Sequence, residues 1–339
     1  MLPFVVADRI LVDGHNLLLR CAKVPALARL SDRRGRPTGA LHGTLRALKT
    51  FQEAMPTTKI TVVWDGSSLR RRLLFAEYKS NRANRAADAS AVRGGNDDVA
   101  WLRDTLPLLG VEQAWNDAEE CDDVIASIVR GRPAGERIII VSTDRDFLQL
   151  VEPTVTVFAP AAKSSNPTRG KFYGTALLFR EYGVRPEQMV LLRAVAGDVS
   201  DNIPGVKGVG LKIAARFWNF ADEGGKGADV DRAYALLRDG SIGLTKLKTK
   251  QILEGEAIVR RNVALMTLLE NVPYRTVPPA ADKDALLARL ADRDLSALAK
   301  AFQKKPRAHQ ASLTNTMNTT PTESAERNEL DDVVLRRQA

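Results

Sequence analysis

Cysteine is scarce in this chain of 339 residues: Cys21 and Cys121 are the only two. So few thiols, without metal-ligand spacing, exclude a disulfide framework and fit a reducing compartment. No apolar run approaches the length of a membrane span, and the N-terminus lacks the basic region and apolar core of a signal peptide. There is no internal repeat. These absences lead us to expect a soluble cytoplasmic protein. Cations are plentiful instead: 50 Lys and Arg stand against 41 Asp and Glu, a net charge of +9. That excess points toward a polyanionic partner. The length supports a full hydrophobic core and two domains.

The chain is organised around residues 138–146, where Ile138, Ile139, Ile140 and Val141 precede Asp144 and Asp146. A short β-branched run without alternation reads as a strand covered on both faces. In such sheets ligands bind beyond the carboxyl ends of the strands. Residues 9–12 and 59–64 read as further strands, ending at Asp13-Gly14 and Asp65-Gly66, and residues 154–158 as a fourth. A helix over 39–55, with Leu41, Leu45, Leu48 and Phe51 at helical spacing, makes the first two strands parallel. The fold class is therefore α/β with a mainly parallel sheet. Residues 117–130 read as one helix with an acidic first turn, 160–170 as a surface loop, and 184 to about 298 as helical throughout. Beyond Lys304 the chain becomes a polar tail.

Asp13, Asp65, Glu120, Asp122, Asp123, Asp144 and Asp146 fall on one rim of this sheet. Singly, an Asp-Gly pair is an ordinary turn and acids in a helix's first turn are favoured by its dipole. Together they repel, which raises pKa values and destabilises the fold unless cations bind. Oxygen ligands suit Mg²⁺ or Mn²⁺, and neighbouring carboxylates can hold two such ions for phosphodiester hydrolysis.

A cation-rich segment, residues 69–85, follows the second strand. Lys79, Arg82 and Arg85 recur every third residue, a row that can grip consecutive phosphates; Tyr78 beside them either packs or stacks on a base. Farther on, Asp198 and Asp201 precede Gly205, Lys207, Gly208, Gly210 and Lys212. This glycine-rich hairpin between two helices offers backbone amides at a helix N-terminus, where phosphate binds regardless of base sequence.

These motifs resemble the 5′-3′ exonuclease and flap endonuclease family, close to free-standing phage enzymes and to the N-terminal nuclease of bacterial DNA polymerase I, over about residues 10–269. The resemblance implies a PIN-like nuclease domain over 1–183 with a helical arch inserted at about 68–110. An all-helical helix-three-turn-helix DNA-binding domain over 184–300 and a polar tail over 301–339 would follow. It further implies a first metal site of Asp13, Asp65, Glu120, Asp122 and Asp144, with Asp123 nearby, and a second of Asp146, Asp198 and Asp201. Lys79 and Arg82 match the arch's Tyr-Lys-x-x-Arg and would contact the scissile phosphate. Two Mg²⁺ or Mn²⁺ ions are implied, with K⁺ at the hairpin element. The implied activity is cleavage of DNA 5′ ends and flaps at duplex junctions, in primer removal and repair. We expect a monomer, in the cytoplasm or on the nucleoid. A catalytically silent junction binder and a PIN-type nuclease acting on RNA are the alternatives; the complete acid set disfavours the first and the hairpin the second.

Overall fold

The alternation of apolar strand and amphipathic helix is realised in a computed structural model that describes residues 6–81, 95–222 and 229–304. Strand β1 (Arg9–Asp13) runs into α1 (Gly14–Ala22), and α2 (Gly39–Ala54) leads to β2 (Lys59–Trp64). Next come α3 (Leu69–Leu74), α4 (Gly95–Thr105), β3 (Glu112–Trp115), α5 (Cys121–Arg130), β4 (Ile138–Val141), β5 (Val155–Pro160) and β6 (Gly170–Tyr173). Helices α6 (Thr175–Tyr182) and α7 (Met189–Ala196) lead to a small antiparallel pair, β7 (Gly197–Asp198) and β8 (Ile203–Pro204). Then follow α8 (Leu211–Ala221), α9 (Val230–Arg238), α10 (Lys246–Glu254), α11 (Glu256–Met266), β9 (Arg275–Val277), α12 (Lys283–Asp292) and α13 (Ser296–Gln303).

The main sheet has the order β6-β5-β4-β1-β2-β3-β9. Strands β1 to β5 are parallel, and antiparallel β6 and β9 close the two edges. From β1 the order proceeds outward to β2 and β3 on one side and to β4 and β5 on the other. The carboxyl ends of β1 and β4 therefore flank a topological switch point, the crevice where α/β sheets bind ligands. Asp13 lies level with Val63, and Val12 with Val141, which brings the acidic ends of three strands to one rim.

Alternate strand residues enter two cores. Ile10 and Val12 pack with α1, α2, α4, α12 and α13, whereas Leu11 and Ile140 pack with α5 and with α7 to α10. Burial on both faces is why the strands read as unbroken apolar runs. Residues up to Gln303 form one compact unit, and the second core runs without a break from the sheet into the later helices. Among the described residues no helix is long and apolar enough to cross a membrane.

Three expectations are corrected. The acidic helix starts at Cys121 and not at residue 117, because the Asn116 side chain accepts from the amides of Ala118 and Glu119 at 2.6 and 2.9 Å and holds a turn there. The loop read at 160–170 spans 161–169, but it leads into a strand that was not expected, β6, which pairs with β5. Strand β9 interrupts the helical region and pairs with β3, so the final helices return to the core of α1 and α2. The edge strands β3 and β9, Glu-Gln-Ala-Trp and Arg-Thr-Val, are short and partly polar, with too little pattern to announce themselves. Residues 301–303, read as the start of a tail, complete α13, while Arg82, Arg85 and the tail beyond Lys304 lie outside the described residues.

Candidate metal centre

Asp13 ends β1 and also caps α1: its Oδ1 accepts from the Asn16 amide at 3.0 Å, and its Oδ2 from the Ser142 hydroxyl at 2.9 Å. The Ser142 oxygen in turn accepts from the Asp144 amide at 3.0 Å, which ties the ends of β1 and β4 together. The Asp-Gly pair here is a close approach and not a turn, since a Cβ on Gly14 would lie 2.7 Å from the Trp64 ring. Asp65 is exposed on the outer edge, where its Oδ1 accepts from the Cys121 amide at 3.0 Å. It thereby caps α5 from a neighbouring strand.

Among the described residues, ligand atoms fall within 4.8 Å of one another in three overlapping groups: Asp13, Cys121 and Asp122; Asp122, Asp144 and Asp146; and Asp146, Asp198 and Asp201. Asp122 and Asp146 are the shared members, so the groups form a continuous row from β1 to the loop between β7 and β8. Cys121 belongs to the first group, although its position in the sequence carries no metal-ligand spacing. Its buried thiol donates to the Val63 carbonyl at 3.5 Å, and burial together with Asp13 raises its pKa well above the ordinary value. A thiol is a soft donor, and the carboxylates supply the hard oxygen donors of the set.

Electrostatics supports cation binding by this row. Burial, then the Asp65 carboxylate, pushes Asp13 up to about 7, and burial with Asp144 raises Asp122 well above the usual carboxylate range. Asp146 is pushed up to about 7 by burial and by Asp144, Asp201 and Asp198, against the pull of Arg193. Clustered oxygen donors whose like charge Arg193 and Lys79 offset only in part fit a hard divalent ion. A consequence is testable. Unfolded aspartates ionise near ~4, so between about pH 4 and 7 the folded, ion-free protein binds more protons and loses stability as pH rises. In EDTA the melting temperature should decline from about pH 5 to 7.5, and saturating Mg²⁺ should flatten the decline. Equal slopes under both conditions would refute the cation assignment.

The remaining acids have other partners. Glu120 is buried, and its two oxygens accept from Lys79 Nζ at 2.7 Å and from the Tyr78 hydroxyl at 2.9 Å. Lys79 Nζ also lies 3.7 Å from Asp201, so it joins Glu120 to the Asp201 end of the acidic row. Asp123 is a correction: it joins none of the groups, because the Arg71 guanidinium occupies both of its oxygens at 2.6 and 2.9 Å with no solvent exposure. Tyr78 is another, for it is buried and turned toward Glu120 and Asp201, leaving no face for a base. Lys79 has φ of 55°, outside helical geometry, so a shared helical face with Arg82 is not formed at this end. It is pinned by its amide, which donates to the Asp201 carbonyl at 2.9 Å.

The hairpin predicted at 205–212 joins β8 to α8. Val206 and Val209 are buried while Lys207 and Lys212 are exposed. Gly208 adopts φ of 77°, the left-handed turn that favours glycine, and the Gly205 backbone packs directly against Ala196 and Gly197. Its Gly208 carbonyl accepts from Lys248 Nζ at 2.7 Å. The sequence reading missed Arg193, the one charged residue in α7, which bonds Asp146 and Asp198. A lone arginine in an apolar helix, five residues before Asp198, was the available signal.

A family described as 5′-3′ exonuclease, N-terminal resolvase-like domain, matches residues 8–183, more than half of the chain. The chain belongs to this 5′-3′ exonuclease family. It is 35% identical over 210 residues to a thermostable DNA polymerase I of Thermus thermophilus, covering 61% of this chain and 23% of that protein. With DNA polymerase I of Mycobacterium bovis it shares 31% identity over 286 residues, 84% of this chain and 29% of the relative. The chain thus spans less than a third of the length of these curated relatives. Among solved structures, T5 5′-exonuclease with bound divalent metal ions (zinc) aligns at a TM-score of 0.60 and 20% identity, covering 87% of this chain and 97% of that one. Flap endonuclease-1 from Methanococcus jannaschii aligns at 0.52 and 18%, over 88% and 91%. At such identities the structures establish a shared fold. The exonuclease family fold thus carries the acidic row described above.

Proposed function

We propose that this member of the 5′-3′ exonuclease family is a divalent-metal-dependent nuclease that removes nucleotides and short flaps from DNA 5′ ends at duplex junctions. The continuous row of carboxylates from Asp13 to Asp201, with Lys79 bridging its far side, carries this reading. Asp13, Asp122 and Asp144, with Asp65 alongside, would hold one Mg²⁺ or Mn²⁺, and Asp146, Asp198 and Asp201 a second. Bound there, such ions supply a nucleophilic hydroxide and neutralise charge on the phosphate. The chain's own residues position the substrate. Lys79, held at the rim by Glu120, offers its ammonium to the scissile phosphate, and Arg82 is assigned to the same task. Lys207, Lys212 and the amides around Gly208 and Gly210 grip duplex phosphates without reading bases. We place this grip in a helical part, residues 184–266, built onto the nuclease core. Arg85 is assigned to phosphate contact as well. Since Lys248 already supplies a cation to the Gly208 carbonyl, potassium is not assigned to that oxygen.

The test is a 5′-labelled flap substrate incubated with Mg²⁺ or EDTA. Labelled short products in Mg²⁺ alone are expected. Junction binding without cleavage in either Mg²⁺ or Mn²⁺ would identify a silent binder, and equal cleavage of single-stranded RNA would identify the RNA-directed alternative. Replacing Lys79 by alanine should lower single-turnover cleavage by about 10²-fold, a size typical of losing one electrostatic donor, with little change in junction affinity. Equal losses in cleavage and binding would reduce Lys79 to a phosphate grip.

A further inference from the structure

Helix α7, Met-Val-Leu-Leu-Arg-Ala-Val-Ala, carries a single charge in an otherwise apolar sequence, and its Arg193 is only 7% exposed. A buried guanidinium is retained where it is paired. Arg193 donates through one terminal nitrogen to Asp146 Oδ1 and through the other to Asp198 Oδ2. The other oxygen of Asp198 is also engaged, accepting from the Ser200 amide at 2.8 Å and its hydroxyl at 2.6 Å. Two of the three carboxylates in the Asp146, Asp198 and Asp201 group are thus directed at a cation belonging to the chain itself. The opposite end of the row differs. Asp13 is met by a backbone amide and a serine hydroxyl, both neutral.

A carboxylate oxygen that accepts from a guanidinium has one lone pair fewer to offer a divalent ion, and a fixed positive charge beside the site opposes a second one. Both effects act in the same direction. We propose that Arg193 is a resident counter-cation of the second carboxylate group, which a divalent ion must displace to bind, so that the two ends of the row load unequally. This rests on the reading of the row as a metal centre and assigns Arg193 a role in setting its occupancy. When the group is empty of metal, the guanidinium holds Asp146 and Asp198 together despite their like charge, preserving the site's shape. When an ion enters, the guanidinium turns away from those oxygens toward the open rim. An apparent affinity falls by the fraction of time that the competent form is populated. If the carboxylates are released about one-tenth of the time, the second ion binds about tenfold more weakly than it otherwise would.

Binding of Mn²⁺ to the full chain, followed by electron paramagnetic resonance without DNA, reads loading independently of catalysis. Two steps of unequal affinity are expected. In Arg193→Gln the weaker step should tighten about tenfold and the tighter one stay unchanged. The same variant should melt lower than wild type in EDTA and recover in Mg²⁺. Unequal steps that the substitution leaves alone, or a weaker step that weakens further, would overturn the proposal. Absence of both steps in the wild type would instead overturn the metal reading itself. A second measurement needs no substitution in the measured protein: the Nε–H resonance of Arg193, followed as Mg²⁺ is added to the wild type, should shift with the second step. A resonance that is constant through both steps would refute displacement.

Discussion

Asp122→Asn is expected to reduce cleavage of a 5′-flap substrate in Mg²⁺ by at least about 10³-fold, or about 4 kcal/mol of activation free energy. Asp122 is the member common to the group containing Asp13 and the group containing Asp144 and Asp146. Asparagine keeps the size of the side chain but removes its anionic charge and turns a donor toward neighbouring carboxylates. Junction affinity should change by less than about threefold, since the substitution leaves Lys207 and Lys212, the residues proposed to grip duplex phosphates, untouched. A second sign follows. Burial and Asp144 raise the Asp122 pKa, so its ionised form costs the ion-free fold stability. The variant should therefore melt higher than wild type in EDTA at neutral pH while being inactive in Mg²⁺. Single-turnover cleavage and a thermal melt decide this, and cleavage within tenfold of wild type would remove Asp122 from the metal centre.

Arg71→Met should destabilise the protein by about 3–5 kcal/mol, the usual result of leaving a buried charge without its partner. Arg71 is 2% exposed, with both oxygens of Asp123 on its guanidinium, and its Nε donates to the Leu265 carbonyl at 3.0 Å. It also lies 3.3 Å from Glu120. Despite the burial that opposes its charge, these carboxylates keep its pKa above the ordinary arginine value. The side chain joins α3, α5 and the end of α11, so α3 and the acids at the start of α5 share one anchor. Asp123→Leu combined with Arg71→Met should recover part of the loss, because an apolar pair of similar volume needs no charge compensation. Full recovery is not expected, as the Leu269 amide donates to Asp123 at 2.9 Å and would lose its acceptor. A urea melt of the single and double variants measures both effects. A single variant as stable as wild type would show that the ion pair is dispensable.

Arg71 also marks the limit of what a charge run in a sequence conveys. It stands between Arg70 and Arg72 in a segment that reads as one cationic surface, yet it faces inward while Arg72 is exposed. Likewise, Asp122 and Asp123 are adjacent in the sequence but take different roles. Successive residues at the start of a helix are about 100° apart, so one aspartate meets Asp144 and the other meets Arg71. Which of them turns toward the rim depends on where the helix sits against the sheet.

The sequence by itself determined the parallel α/β layout, the acids at the ends of β1, β2 and β4, and the glycine turn at Gly208, though that turn follows a strand and not a helix as read. Those features are local. An apolar β-branched run, an Asp at a strand end or a glycine in a left-handed turn obeys physics acting within a few residues. Only the tertiary structure decided that Asp122 and Asp146 link the acids into one row, that Tyr78 is buried, that Lys79 bridges Glu120 and Asp201, and that Arg193 is clamped between Asp146 and Asp198. These arrangements join residues far apart in the chain. Their geometry follows from the register of the sheet and the packing of α5 and α7 against it, which no short stretch of sequence contains.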